Sequence, residues 1–168
     1  TDPVLCAISG DATLVSGGAL TLGAGVVTGA KSSATMATKS HGTAVPTVGA
    51  TGTTEATIIM PVAGTITGIR FTCKDSLAQH ASNYLTFSVV DHTNSDAAVL
   101  AATDANTTKA STGTAITGYA TRNLALSGTG ANLIVAAGDV LKLQFASNST
   151  LANTLTEGYL QIDVLVTA

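Results

Sequence analysis

The sequence predicts an all-β protein: an antiparallel β-sandwich, a jelly roll of about eight strands, carrying an extended N-terminal arm. Three observations predict it. Short runs alternate apolar and polar residues with a period of two, and clusters of Gly, Asn, Asp and Ser separate those runs. No amphipathic stretch is long enough to make a useful helix. All aromatic residues, Phe71, Tyr84, Phe87, Tyr119, Phe145 and Tyr159, stand at or beyond Phe71, so the large packing side chains are confined to one part of the chain. Residues 1–52 accordingly read as an arm and linker, and residues 53–168 as the sandwich.

In the arm, Leu20, Leu22, Ala24 and Val26 alternate with Thr21, Gly23 and Gly25, which suits one half-buried strand. Val4-Leu5 and Val26-Val27 are its apolar bursts. Repeated glycines, including Gly17-Gly18, raise the entropy cost of ordering it. Without aromatic residues it has weak means of folding alone, and it is expected to take its shape from a surface it lies against. Residues 31–52, with Pro46 and repeated Ser, Thr and Gly, hold no period and read as a linker.

Ala56 to Val62 is an apolar, β-branched run closed by Pro61 and the Ala63-Gly64 turn, and is expected to begin the sandwich. From Thr65 to Lys74, Ile69, Phe71 and Cys73 share one face and Arg70, Thr72 and Lys74 the other. Ile66 falls out of phase, so Gly68 reads as a bulge. In Tyr84 to Asp91, Leu85, Phe87 and Val89 face inward, and Asp91 to Asp96 supplies turn chemistry. Ala97 to Ala102 is a short apolar segment of either type, and Asp104 to Gly113 is a Thr- and Asn-rich loop; the pattern allows a helix only there. Ile116 to Leu126 has strand composition broken at Gly118, and Leu133 to Val135 reads as a brief buried strand before the Ala137-Gly138-Asp139 turn. The clearest strands come last. Leu141, Leu143 and Phe145 alternate with Lys142 and Gln144, and Leu160, Ile162, Val164 and Val166 with Gln161, Asp163 and Leu165.

Charged residues make up only 10% of the chain, against about 25% in an ordinary soluble domain. A surface so neutral suits coverage by other subunits. The net charge of −3 and the scattered cations Lys31, Lys39, Arg70, Lys74, Lys109, Arg122 and Lys142 give no footprint for a polyanion, which argues against nucleic acid. No basic segment followed by an apolar run opens the chain, and no run of ~18 apolar residues occurs, so a soluble protein without export signal or membrane span is expected. Cys6 and Cys73 read as two buried free thiols.

Motifs for chemistry fail on spacing. Gly25 to Ser32 imitates a phosphate loop, but Ala30 occupies the position where glycine must let backbone amides approach phosphate, and Gly23, Gly25 and Gly29 miss the dinucleotide pattern by one residue. His41, His80 and His92 fall in predicted loops or linkers without zinc spacing, and Asp91, Asn94 and Asp96 miss the calcium-loop pattern. Neither a Gly-x-Ser-x-Gly elbow nor a recognisable carboxylate pair occurs, so no enzyme, cofactor or metal is expected. Asn106-Thr107-Thr108 and Asn148-Ser149-Thr150 fit the glycosylation pattern but read as loops. Tyr84 and Tyr159 have outward parity; without Trp, subunit packing suits them better than a sugar platform.

Met60-Pro61-Val62-Ala63-Gly64-Thr65-Ile66-Thr67-Gly68-Ile69-Arg70, then Val135-Ala136-Ala137-Gly138-Asp139-Val140-Leu141-Lys142-Leu143 and Leu160-Gln161-Ile162-Asp163-Val164, resemble β-sandwich capsid proteins of tailed bacteriophages. The likeness covers roughly residues 55–168. It implies a decoration, or cement, protein: a jelly roll on the outer face of an icosahedral head that binds the major capsid protein and itself, as a trimer. On that expectation Val4, Leu5, Leu20, Leu22, Val26 and Val27 anchor the arm to neighbouring subunits, adding strands to exposed sheet edges. Two rivals remain open: a fibre or receptor-binding module whose loops near His80, His92 and Asn148 touch a host glycan, and a bacterial surface subunit with a Cys6–Cys73 bridge.

Overall fold

Eleven β-strands and two short 3-10 helices make up the described residues, 12–14, 20–22 and 38–166, of a computed structural model. The strands are β1 (Ala12–Leu14), β2 (Leu20–Leu22), β3 (Thr38–Val45), β4 (Gly52–Ile59), β5 (Gly64–Thr72), β6 (Leu85–Asp91), β7 (Ala97–Ala98), β8 (Arg122–Leu124), β9 (Ile134–Val135), β10 (Val140–Ser147) and β11 (Gly158–Val166). The 3-10 turns cover Asp104–Asn106 and Gly130–Leu133.

One sheet runs β4-β10-β6-β7 and the other β3-β11-β5-β8, with β9 also on β5; β1 and β2 form a small sheet of their own. The pairs β3/β11, β4/β10, β5/β8 and β6/β7 are antiparallel rungs of one long ladder folded over on itself. That is the jelly roll. Every connection among these eight strands except β6 to β7 passes from one sheet to the other, so the two inner faces close on a common core.

Alternation becomes burial where the strands are central. Along β10, Leu141, Leu143, Phe145 and Ser147 are buried and their neighbours half-buried; along β6, Leu85, Phe87, Val89 and Asp91 do the same. Phe71 from one sheet meets Phe87 and Phe145 from the other, with ring centroids 5.1 and 5.8 Å away, and Phe87 to Phe145 measures 5.6 Å at a T-shaped angle. The bulge expected at Gly68 is present. Asp163 opposes Gly68 while Val164 opposes Ile66, so Thr67 is the additional residue that restores Ile66 to the inner face. Gly64 allows β5 and β11 to approach: a Cβ there would lie 2.3 Å from the Leu165 carbonyl oxygen. In the Ala137-Gly138-Asp139 turn, Gly138 takes φ +96° and the Asp139 carboxylate accepts the Ala136 N–H at 2.6 Å.

Five expectations are corrected. The linker of residues 31–52 contains β3, an eight-residue strand in continuous register with β11, so the sandwich starts at Thr38 rather than near Thr53. Polar residues hid it: Lys39, His41 and Thr43 occupy the row opposite Val164, Ile162 and Leu160. His41 is therefore a strand residue, not a loop one. Leu133–Val135 is a 3-10 turn running into β9, with Ile134 exposed. Within Ile116–Leu126 only β8 is a strand, while Ile116 makes an isolated bridge to Leu77. A helical turn also occurs at Gly130–Leu133, beyond the two segments that allowed one.

Candidate functional site

The two sides of the sandwich are built differently. On one side the edge strands are short, β7 with two residues, β8 with three and β9 with two. Backbone bonds then stitch the sheets together: Ala101 N–H donates to the Ala125 carbonyl at 3.0 Å and Ser127 N–H to Val99 at 2.8 Å. Asn106, 1% exposed, reinforces the seam. Its Nδ2 donates to the Ala101 and Ala125 carbonyls, both at 2.8 Å, and its Oδ1 accepts the Ala125 N–H at 2.7 Å. A buried amide with its bonds satisfied this way fixes one arrangement of the loops. That side offers little free backbone.

On the opposite side lie β3 and β4, each of eight residues and each with one strand neighbour among the described strands. The connecting loop closes one end of this side, where Val48 and Leu155 exchange N–H···O bonds of 3.0 and 2.8 Å and Val45 and Val48 are buried. Towards Ile58 and Lys39 the side opens. The inward row of β4, Thr54, Ala56 and Ile58, is only half-buried, although its partners Phe145, Leu143 and Leu141 on β10 are fully buried. The core is thus incompletely covered along this rim. Long free edges are strand-addition sites unless a charge, a proline or a bulge protects them. On β3, Lys39 and His41 stand on the inner row, and the His41 Nε2 is buried without a partner. On β4 the one charge is Glu55, which accepts from Gln144 Nε2 at 2.8 Å on the outer face.

Outside β3, β11 and β5 a polar cluster forms around Asp163, 5% exposed despite its outward parity. It accepts from Ser40 Oγ at 2.7 Å and Gln161 Nε2 at 2.9 Å, and pairs with an Arg70 guanidinium nitrogen at 2.5 Å. Burial by itself would raise the pKa of this carboxyl, but the Ser40 and Gln161 donors and the Arg70 charge together hold it below the ordinary carboxylate value. Asp75 and Asp96 are also held low, by bonds from Thr156 and His92. A depressed folded-state pKa contributes stability above the unfolded-state value, and that stability is lost as pH falls through the folded-state pKa. The denaturation midpoint is therefore expected to drop as pH falls below about 4. Asp163→Asn is expected to lower the midpoint at pH 7 and to flatten part of the acid limb; chemical denaturation of both proteins between pH 7 and 2 checks it.

Tyr159, next to this cluster, lies across Gly42 on β3, where a Cβ would overlap its phenol ring. The edge glycine is thereby covered by a cross-strand aromatic residue. Tyr119 is 74% exposed, and Tyr84 carries the Lys109 ammonium 5.9 Å from its ring centroid. The three tyrosines make no ring contact with one another among the described residues.

Arg122 is the buried cation of the fold, 8% exposed at the start of β8. Its guanidinium lies 4.8 Å from the Phe87 ring centroid and donates to the carbonyls of Thr114 at 2.8 Å and of Ala105 and Thr107 at 2.7 Å. Desolvation pulls its pKa down to about 10, so it stays charged at neutral pH. A pocket of about 320 Å³ opens beside it between Thr114, Thr117, Thr121 and Asn123. The charge is directed at loop backbone, which makes Arg122 a clamp on residues 104–117.

Of the expected anchors, Leu20 and Leu22 lie in β2, paired antiparallel with β1 in the register Leu14 to Leu20 and Ala12 to Leu22. Val4, Leu5, Val26 and Val27 lie outside the described residues, as does Cys6. Cys73 is a buried free thiol whose pKa burial pushes up. His80 and His92 lie in loops, and no group of three His, Cys, Asp or Glu among the described residues could hold a metal ion. What sequence reasoning missed is the edge formed by β3 and β4; the unbroken Thr-rich run from Gly52 to Ile59 was its signal. Comparison with protein-family models, with curated proteins and with solved structures finds no match for this chain.

Proposed function

We propose that this chain is a virion structural protein, a capsid decoration or cement protein. It binds the outer surface of an icosahedral phage head and stabilises it by linking neighbouring subunits, with the major capsid protein and further copies of itself, as a trimer, for partners. The observation that carries this reading is the open side of the jelly roll: β4, eight residues long with Glu55 as its one charge, has β10 as its one strand neighbour among the described strands. Assembly needs geometry of this kind more than chemistry. Strand addition gives affinity through main-chain bonds and specificity through alternate side chains. Each aliphatic anchor fully buried in a neighbour contributes about 1.5–3 kcal/mol, and a shell repeats that contribution over many copies. The low charge supports the same reading, because a surface covered by neighbours has less need of solvating charge.

Mixing the purified chain with undecorated heads tests it. Saturable binding and a higher temperature of head disruption are expected, with binding lost or sharply weakened by Leu20→Asp combined with Leu22→Asp. Absence of binding, or binding to host glycans without binding to heads, overturns the reading in favour of a receptor module.

A further inference from the structure

We infer that the outer edge of β4 is completed by the β1–β2 hairpin segment, residues 12–22, of a second copy of this chain. The inference rests on the assembly reading above and names the partner at that edge.

Among the described strands β4 is the unprotected edge. It holds one register with β10 over all eight residues, without a bulge, and contains neither lysine nor proline. Across the open side β3 carries the exposed Lys39 and the half-buried His41 on the row opposite Val164 and Ile162, the kind of device that discourages pairing. Alternate residues of β4 direct N–H and C=O groups away from β10, and beside them the half-buried row of Thr54, Ala56 and Ile58 leaves core surface uncovered. An added strand therefore needs to be apolar at every second residue and free of charge.

Residues 12–30 contain no charged side chain, and Leu20 and Leu22 alternate with Thr21. Their hairpin has three residues per strand, too little to be stable as a two-stranded ribbon in water. In its own chain it forms a separate sheet and does not extend the β4 sheet. The fifteen residues from 23 to 37 have a fully extended length of about 50 Å. Exchange of such a segment is a low-cost route to oligomers: each copy gives one hairpin and receives one, reciprocally in a two-fold dimer or head-to-tail around a larger ring. A second β4 is the poorer occupant. Near-full overlap of β4 with its own copy sets the two Glu55 carboxylates opposite or diagonal to one another, which is destabilising.

The test uses full-length chains in a Cys6→Ser background, each with one new cysteine and its own affinity tag. Copies bearing Leu22→Cys are mixed with copies bearing Thr54→Cys, Ala56→Cys or Ile58→Cys, and a thermal melt of each variant verifies folding. A disulfide between differently tagged chains at one or more of the three positions is expected. It is expected to disappear when Leu20→Asp is added, with self-association weakened at least tenfold. A bridge that forms only within one chain carrying both cysteines assigns the edge to its own hairpin and overturns the inference; so does the absence of any bridge. Head binding on the same preparations separates the two claims. Binding without a bridge overturns this inference alone, and a bridge without binding overturns the cement reading alone.

Discussion

Phe145→Ala will lower the unfolding free energy of the sandwich by about 3–5 kcal/mol. Phe145 sits at the middle of β10, 1% exposed, directly opposite Phe87 on β6, with Phe71 reaching it from the other sheet. Alanine removes the largest side chain of its row and leaves a cavity bounded by two rings that are themselves fixed by central strands. Roughly 200 Å² of apolar surface at ~25 cal/mol per Å² already accounts for ~5 kcal/mol. The ring contacts with Phe71, tilted at 46°, and with Phe87, T-shaped at 77°, are lost within that range. Against a total stability of about 5–15 kcal/mol this is a large fraction. Guanidinium denaturation should show a lower midpoint with an unchanged slope. Tyr159→Ala, which removes a half-exposed ring from the outer face, serves as the control and should cost a small part of that. A loss below about 1.5 kcal/mol at Phe145 would mean that the two sheets can close over the gap and that the aromatic cluster does not bind them together.

Arg122→Met should destabilise the protein by about 2–4 kcal/mol and loosen one loop more than the rest. Two effects oppose each other. Methionine relieves the cost of burying a cation with no carboxylate beside it. It also deletes three charge-assisted hydrogen bonds, each about 1.5–3 kcal/mol. Thr107 O keeps a second donor, the Thr114 N–H at 2.9 Å, but Ala105 O and Thr114 O accept from Arg122 alone. The lost bonds therefore outweigh the relieved charge. Arg122→Lys discriminates the mechanism: an ammonium is a point charge and cannot serve three carbonyls from a planar fork, so part of the loss should remain. Amide exchange reads out the local consequence. Thr107, Thr108 and Thr114 should lose protection in either variant while Leu143 and Ile162 keep theirs. Uniform loss across the sheets would instead make Arg122 part of the global core.

The strands that alternation revealed are those with both neighbours in place. β6 and β10 bury every second residue, β5 does so on either side of its bulge, and β11 does so from Leu160 to Val164 with Asp163 buried as well, so their sequences carry the period that packing requires, and Phe71, Phe87 and Phe145 fall on the inner faces as expected. The Gly68 bulge was legible for the same reason: a phase error between Ile66 and Ile69 has to be absorbed somewhere. β3 was not legible. An edge strand has one partner, and its inner row at the open rim is only partly covered, so Lys39, His41 and Thr43 are tolerated and the period vanishes. Asp163 shows the converse, since its outward parity predicted exposure, and only the convergence of Ser40, Arg70 and Gln161 from three strands buries it.

By itself, the sequence determined that this is an all-β sandwich, where its aromatic core lies, and that its surface is unusually neutral. Those properties are local or compositional, written residue by residue in alternation, turn chemistry and charge. The tertiary structure alone decided which strands end the sheets among the described residues, that the sandwich begins at Thr38, and that Asn106 seals the side opposite β3 and β4. Edges are a property of strand order, and strand order is set by pairings between segments far apart in the chain, such as β3 with β11 and β4 with β10. No local pattern records which of two equally alternating strands ends up without a neighbour.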